Sequence, residues 1–263
     1  MKIFKYAKNY LLSYYYFLRE KCSPSSIKSG KEVPIIINNF NRLTTLRLLI
    51  EALHKRGYDN IYIIDNASTY PPLLEYYDQC PYTVFRLTEN LGFKALWKSH
   101  LDKKFCNDYF IYTDSDVVPA DFCPADFVDY FLQELKKHPL ARKIGFSLRI
   151  DNLPDCYDHK QEVIEKETIY YSRLEEEKLY RAPIDTTFAL YRPRVGLSRS
   201  RYVEAYRTAY PYQAEHLPWY TNSAQPSEEE LYYIKHCSKV TEWTVSILFS
   251  ALTHIIHKPT FAP

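Results

Sequence analysis

Four short apolar segments, each rich in β-branched or aromatic residues, constrain the fold of this chain more than any other feature of its sequence. They occupy residues 33–39, 61–65, 82–87 and 109–113. Leucine and isoleucine side chains at helical spacing follow the first segment as far as Gly57, a residue that suits the end of a helix. Strands that alternate with helices over short connections predict an α/β fold, with a mostly parallel sheet and helices on both of its faces.

Polar side chains cluster where three of these predicted strands end. The clusters are Asn38, Asn39 and Asn41 after the first strand, Asp65 and Asn66 after the second, and Asp114 with Asp116 after the fourth. The carboxyl ends of parallel strands share one edge of the sheet, and open α/β sheets bind their ligands at that edge. We therefore expect the three clusters to form one binding site.

Asp114-Ser115-Asp116 is the cluster with the clearest chemistry. Two carboxylates this close can share one Mg²⁺ or Mn²⁺, ions that favour carboxylate, water and phosphate oxygens. Such an ion could act as a Lewis acid on a departing phosphate group. The same residues could instead form an ordinary aspartate-rich turn, so the carboxylate pair alone leaves both interpretations open.

Composition limits the classes of partner. The chain has 263 residues, enough for one large α/β domain with appendages, and its formal net charge of +2 is too small to indicate nucleic-acid binding. Its six cysteines are scattered, without a CxxC pair, which indicates free thiols in a reducing compartment rather than a zinc site.

The two ends of the chain differ from its centre. Residues 1–32 predict a basic, aromatic helix, which could lie on an anionic membrane or pack on the protein. Its apolar stretch is too short to span a bilayer and lacks a signal-peptide cleavage site. The apolar segment 244–256 predicts a helix that is also too short to span. We expect residues 226–263 to form a helical extension packed on a central domain of residues 33–225.

The second half of the chain is less regular than the first. Residues 143–150 predict a strand and residues 162–178 a charged surface helix. Residues 180–191 have the composition of a strand that Pro183 interrupts. Ser227, followed by three glutamates, is a good N-cap for a further helix.

Four motifs together resemble those of the GT-A superfamily of glycosyltransferases, in particular its bacterial family 2-like members. The motifs are VPIIINNFNR at 33–42, IIDNAST at 63–69, ENLGFKALW at 89–97 and YTDSDVVP at 112–119. The resemblance covers about residues 33–220 and is strongest in the first half. It implies a GT-A catalytic domain that uses a nucleotide-sugar donor, with a UDP-sugar favoured, and Mn²⁺ or Mg²⁺ as cofactor.

The resemblance also implies roles for individual residues of this sequence. Asp65 would contact the nucleotide base, Asn90 and Lys94 would lie near ribose or phosphate, and His216 would join Asp114 and Asp116 as a metal ligand. The full set expected to bind the nucleotide-sugar is Asn39, Asn41, Arg42, Asp65, Asn66, Asn90, Lys94, Asp114 and Ser115.

Asp185 is our candidate for the catalytic base. An inverting transferase needs a carboxylate to take the proton from the attacking hydroxyl, and Asp185 is an isolated charge in an apolar stretch. It could instead pair with Arg181 or Arg192. The family's frequent Glu-Asp doublet is missing here, so a retaining reaction that needs no such base stays open, and Glu165 or Glu167 is the alternative base.

We expect the acceptor to be a glycan or lipid-linked glycan, bound by Asp151 and by the ring of Trp219, which could equally be a core residue. Family analogy places the reaction in the cytoplasm, at the inner face of the cell membrane.

Other classes of protein remain to be distinguished. A nucleotidyltransferase also uses a doubly wound sheet and acidic metal ligands, but it usually has a glycine-rich loop after its first strand, and residues 37–43 contain no glycine. A haloacid-dehalogenase-like phosphatase has an Asp-x-Asp motif on its first strand, whereas here the motif follows the fourth. A glycan-binding scaffold subunit with a degenerate site is the non-enzymatic alternative.

Overall fold

The computed structural model describes residues 2–184, 188–196 and 204–237, and the structural statements below concern these residues. The helices are α1 Lys2–Cys22, α2 Thr44–Lys55, α3 Pro71–Gln79, α4 Ala95–Lys98, α5 Asp102–Phe105, α6 Phe127–Lys137, α7 Lys160–Tyr171 and α8 Glu228–His236. The strands are β1 Ile35–Asn39, β2 Ile61–Asp65, β3 Thr83–Arg86, β4 Phe110–Asp114, β5 Val117–Pro119, β6 Lys143–Leu148, β7 Leu174–Glu176, β8 Leu179–Arg181, β9 Ala189–Tyr191 and β10 Ala205–His216.

All the strands belong to one sheet with the order β3-β2-β1-β4-β9-β6-β10-β8-β7, and β5 pairs with β10 beside this path. The first four strands of that order are parallel to one another, and β9 runs antiparallel between β4 and β6. Apolar residues cover both faces of the sheet, because Ile35 and Ile37 of β1 join one hydrophobic cluster and Ile36 joins the other. The predicted α/β fold of GT-A type is confirmed.

The register of β1 with its neighbours aligns the polar strand ends. Asn39 lies opposite Asp65 of β2, and Asn38 lies opposite Asp114 of β4. A parallel register without slips therefore places all three polar clusters at the same edge of the sheet.

The strand β10 is the largest element that the sequence analysis did not predict. It pairs in parallel with β6 and antiparallel with β5 and β8, with a register shift between Thr208 and Gln213. Its last residue, His216, lies opposite Val117, one residue beyond Asp116. This pairing brings the end of β10 to the aspartate motif.

Several other expectations need correction. The helix predicted over 162–178 ends at Tyr171, and the hairpin of β7 and β8 follows it. A single 3₁₀ turn at Gly92–Lys94 and the short helices α4 and α5 precede β4, where the sequence predicts one helix from about Phe93, and α3 and α6 were not predicted. The apolar segment 244–256 lies outside the described residues.

No helix within the described parts of the chain is both long enough and apolar enough to cross a bilayer.

Gly145 marks a close approach of two strands in the middle of the sheet. A Cβ atom added there would lie 2.3 Å from the carbonyl oxygen of Phe188 and 2.8 Å from the Cβ of Ala189. Gly145→Ala should therefore reduce the free energy of unfolding by about 2–3 kcal/mol, as overpacked cores do. Gly196→Ala is the matched control, since its new methyl group would meet only the Tyr16 hydroxyl at 3.8 Å. Equal urea denaturation midpoints for the two variants would contradict this packing argument.

Candidate functional site

Asn41 connects the loops that follow β1 and β2. Its backbone has a φ of 52°, in the left-handed region that asparagine tolerates better than most residues. Its side-chain Oδ1 accepts hydrogen bonds from the backbone N–H groups of Thr69 (2.7 Å) and Tyr70 (3.0 Å), and its own N–H donates to Ser68 Oγ. The side chain thus holds two strand-end loops in fixed relative positions, although the buried Nδ2 has no hydrogen-bond partner.

Asp65 ends β2 as a buried carboxylate. Its Oδ1 accepts a hydrogen bond from the Ser68 N–H at 3.2 Å, and Arg86 Nε lies 3.5 Å from Oδ2. Burial raises the pKa of Asp65, and the hydrogen bonds from Ser68 and the charge of Arg86 partly offset that effect.

A hydrogen-bonded chain joins the three strand ends. Asn38 Nδ2 donates to Asp114 Oδ1 at 3.2 Å, and Asn66 Nδ2 donates to Asn38 Oδ1 at 3.4 Å. Asn66 also holds the next loop, because its Nδ2 donates to the Gly92 carbonyl and its Oδ1 accepts from the Leu91 N–H. The structure therefore brings the three clusters and the segment at 89–97 to one place.

Asp116 and His216 face each other where β4 and β10 end. His216 Nε2 lies 3.7 Å from Asp116 Oδ1, and the backbone N–H of Leu217 donates to the carbonyl oxygen of Asp116 at 2.9 Å. The His216 ring packs edge-on against the ring of Trp219, with centroids 4.8 Å apart. Strand pairing and ring packing thus fix the imidazole beside the carboxylate.

The electrostatics of this pair favour a neutral imidazole. Burial lowers the pKa of His216, and the positive charge of Arg42 lowers it further, while Asp116 raises it. The buried atoms Asp116 Oδ1 and His216 Nδ1 have no hydrogen-bond partner. A neutral imidazole and a carboxylate are both suitable ligands for a divalent metal ion.

The described residues do not by themselves form a complete metal shell. Within the ranges given above, no three His, Cys, Asp or Glu side chains are grouped closely enough to hold an ion. Mg²⁺ and Mn²⁺ in nucleotide-dependent enzymes commonly take one or two carboxylates from the protein and their other ligands from water and substrate phosphates. Asp116 beside His216 fits that partial set.

Arg42, expected to bind the donor, is engaged with α8. Its guanidinium forms a two-pronged ion pair with Glu230, in which Nη2 lies 3.1 Å from Oε1. It also stacks over the ring of Tyr233, with its Cζ 3.9 Å from the ring centroid. The neighbouring Glu229 accepts hydrogen bonds from the N–H and hydroxyl of Thr44, at the first turn of α2. The helix α8 is thereby fastened to the loop after β1.

Tyr233 is a residue at this site that the sequence analysis missed. Burial raises the pKa of Tyr233 to about 12, Arg42 opposes this rise, and the charges of Asp116 and Asp114 add to it. The Tyr233 ring packs against Arg42 and against Phe40, whose ring centroid is 6.0 Å away, so it lies on the loop after β1. No sequence motif marks it, because its neighbours at the site lie more than a hundred residues earlier in the chain.

The remaining residues of the predicted nucleotide-sugar set lie in the same loops. Asn39 is fully buried and donates to the Tyr77 hydroxyl at 2.8 Å, while its Oδ1 has no partner. Asn90 stabilises the following turn, because its Oδ1 accepts a hydrogen bond from the Gly92 N–H. Lys94 lies beside the Phe93 ring, and Ser115 is buried between the two aspartates.

The predicted acceptor residues lie in two different environments. Asp151 is exposed and accepts a hydrogen bond from Arg149 Nε at 2.7 Å, which lowers its pKa. Trp219 belongs to a 3₁₀ turn at Leu217–Tyr220 and is only 6% exposed, which agrees with the alternative that it is a core residue. Its role in acceptor binding stays a prediction.

Asp185 lies outside the described residues. Of the two arginines considered as its partners, Arg181 pairs with Glu204 and Arg192 with Glu20. The alternative base Glu167 is buried in an ion pair with Arg207, 2.5 Å away.

Comparison with known families identifies the class of protein. The model of glycosyl transferase family 2 matches residues 35–195, more than half of the chain. The chain therefore belongs to glycosyltransferase family 2, as the four motifs indicated. A search of curated proteins gives no match.

Solved structures match this chain only at low sequence identity and low TM-score. S. aureus TarS 1-349 is 12% identical with a TM-score of 0.43, over 87% of this chain and 73% of that one; in a longer TarS structure the match covers 44% of the TarS chain. GalNAc-T7, solved with UDP, GalNAc and Mn²⁺, is 13% identical with a TM-score of 0.44, over 85% of this chain and 54% of that one. A cytidylyltransferase from Leptospira borgpetersenii is 11% identical with a TM-score of 0.39, over 88% of this chain and 99% of that one.

Proposed function

We propose that this glycosyltransferase moves a sugar from a nucleoside-diphosphate donor, with a UDP-sugar favoured, to a glycan or lipid-linked glycan. The observation that carries this proposal is the pairing of Asp116 with His216 at the strand ends. Each of the two side chains has a buried atom without a hydrogen-bond partner. The neighbouring strand-end loops are connected by hydrogen bonds of Asn38, Asn66 and Asn41. By family analogy, we place the reaction at the cytoplasmic face of a cell membrane.

In this proposal Asp114, Asp116 and His216 hold Mn²⁺ or Mg²⁺. The bound ion would supply Lewis-acid neutralisation of the charge that develops on the departing diphosphate. Asn38 orients Asp114 by donating to its Oδ1, and the Trp219 ring holds the His216 ring in place. These contacts reduce the reorganisation that the site would otherwise undergo when the donor binds.

The chain's own residues also position the donor. We assign the nucleotide base to Asp65, whose side chain is fixed by Ser68, and the ribose or phosphates to the loop containing Asn90 and Lys94. Asn66 connects these two parts of the site through its bonds to Leu91 and Gly92. The acceptor would approach from the side of Asp151.

Metal-dependent thermal stabilisation by UDP tests the donor and metal assignments together. A ligand at a hundred times its Kd stabilises the folded state by about 2.7 kcal/mol, which raises Tm by about 5–10 °C for a domain of 150–250 residues. We expect this shift with UDP and Mn²⁺ together, a much smaller shift with either alone, and little shift with ADP and Mn²⁺. Absence of any shift would favour a degenerate, glycan-binding site, and stabilisation by nucleoside triphosphates alone would favour a nucleotidyltransferase.

We assign the catalytic base to Asp185. The variant Asp185→Asn should keep the UDP- and Mn²⁺-dependent shift in Tm and lose transfer by about 10²–10⁴-fold, the usual contribution of general base catalysis. Undiminished transfer would remove Asp185 from this role and favour a retaining reaction. Asp155→Asn is the matched control, because Asp155 is a fully exposed carboxylate on another loop.

A further inference from the structure

Helix α1 is fastened to the body of the protein by its polar side chains. The buried Ser13 hydroxyl accepts a hydrogen bond from Arg142 Nε at 2.9 Å, and the Tyr16 hydroxyl accepts one from the backbone N–H of Gly196 at 3.3 Å. Glu20 forms an ion pair with the buried Arg192 and accepts a hydrogen bond from the Tyr109 hydroxyl. These contacts fix which side of the helix faces the protein.

The opposite side of α1 displays apolar and aromatic residues to solvent. They are Tyr10 (55% exposed), Leu11 (66%), Tyr14 (46%), Tyr15 (48%) and Leu18 (44%). On a helix with 3.6 residues per turn these five positions fall within an arc of about 140°. We call this set the outer face of α1. A surface helix normally buries its apolar side chains, so an exposed apolar arc of this width indicates that a partner covers the outer face.

The charges around the outer face identify the kind of partner. The exposed residues Lys8, Arg19 and Lys21 accompany it, and Glu20 is the only acidic residue in the first 31 positions. Because Glu20 faces inward, the described surface of α1 combines basic and aromatic side chains without an exposed acid. A second copy of the chain placed symmetrically on this face would bring like charges together. An anionic lipid surface complements both the charge and the apolar side chains.

We propose that α1 lies flat on anionic membranes, with the rings and leucines of its outer face at the headgroup boundary and Lys8, Arg19 and Lys21 near lipid phosphates. Tyrosine and lysine suit this position because each joins an apolar body to a polar tip. Helix α1 contacts Tyr109, which precedes β4, whereas the strand-end site lies where β4 ends, so this inference does not depend on the proposed reaction.

Co-sedimentation of the full chain with vesicles tests the proposal. We expect binding to mixed phosphatidylglycerol and phosphatidylcholine vesicles, weak binding to phosphatidylcholine alone, and loss of binding at high salt, which screens exposed charges. The double variant Leu11→Ser/Leu18→Ser should bind at least about tenfold more weakly, because two leucine side chains no longer enter the apolar layer.

The matched control is Leu48→Ser/Ile169→Ser, which removes two aliphatic side chains of similar exposure elsewhere on the surface. We expect it to bind vesicles like the unchanged protein. Equal binding by both double variants, or failure of the unchanged protein to bind anionic vesicles, would overturn the proposal. A protein dimer in sedimentation velocity that dissociates only in the Leu11→Ser/Leu18→Ser variant would also overturn it, since the outer face would then be a protein interface. The UDP-dependent shift in Tm, measured in parallel without lipid, should be the same in the unchanged protein and in both double variants.

Discussion

Asp116→Ala should lower kcat/KM for sugar transfer by about a thousandfold or more. A bound metal ion contributes several kcal/mol to stabilisation of the leaving group, and each 1.36 kcal/mol corresponds to a factor of ten in rate. Asp116 faces His216 and keeps a buried oxygen without a hydrogen bond, so no other described contact depends on that oxygen. The measurement is steady-state transfer over a range of Mn²⁺ concentrations, together with the Mn²⁺-dependent shift in Tm with UDP.

The effect of a substitution at Asp116 on the free energy of unfolding distinguishes a functional role of this residue from a structural one. A buried carboxylate oxygen without a hydrogen-bond partner destabilises the unliganded fold, so Asp116→Asn should leave the free energy of unfolding unchanged or raise it by about 1 kcal/mol. Asp121→Ala, which removes an exposed aspartate on the loop after β5, is the control and should keep full activity. A marked loss of stability in Asp116→Asn would show that the carboxylate supports the fold.

Glu230→Ala should reduce the free energy of unfolding by about 3–5 kcal/mol, because it leaves the buried guanidinium of Arg42 without its partner. Both side chains are almost fully buried, and the pair joins α8 to the loop after β1 across 188 positions of sequence. Chemical denaturation measures this effect directly. The double variant Arg42→Met/Glu230→Leu should recover much of the loss, since it removes both buried charges together.

The ion pair of Arg149 with the exposed Asp151 supplies the control. Asp151→Ala should reduce stability by less than about 1 kcal/mol, because exposed ion pairs contribute little. If Glu230→Ala is no more destabilising than Asp151→Ala, the ion pair does not anchor α8. Arg42 would then be free to serve the donor site as the sequence analysis expected.

The first half of the fold was predictable because its signals are local. The apolar runs that became β1, β2 and β4 each lie within five to seven residues, and their polar ends follow directly. A parallel sheet then brings those ends together without further information. The strand-end site could thus be predicted from three short segments and a general rule of α/β architecture.

The second half depends on pairings between distant residues, which a local pattern does not reveal. The strand β10 contains Pro211 and changes register near it, so its sequence shows no simple alternation. His216 could be suggested only by resemblance, because its place beside Asp116 is set by the pairing of β10 with β5. For the same reason Tyr233 gave no signal, and Arg42 gave no indication that it pairs with Glu230.

The most direct test of this account is a crystal structure grown with UDP and Mn²⁺, with the ion located by its anomalous scattering. We expect a single Mn²⁺ bonded to Asp114, Asp116 and His216 and to oxygens of the diphosphate. A structure in which UDP binds while these side chains point away from the ion and the phosphates would contradict the proposed mechanism.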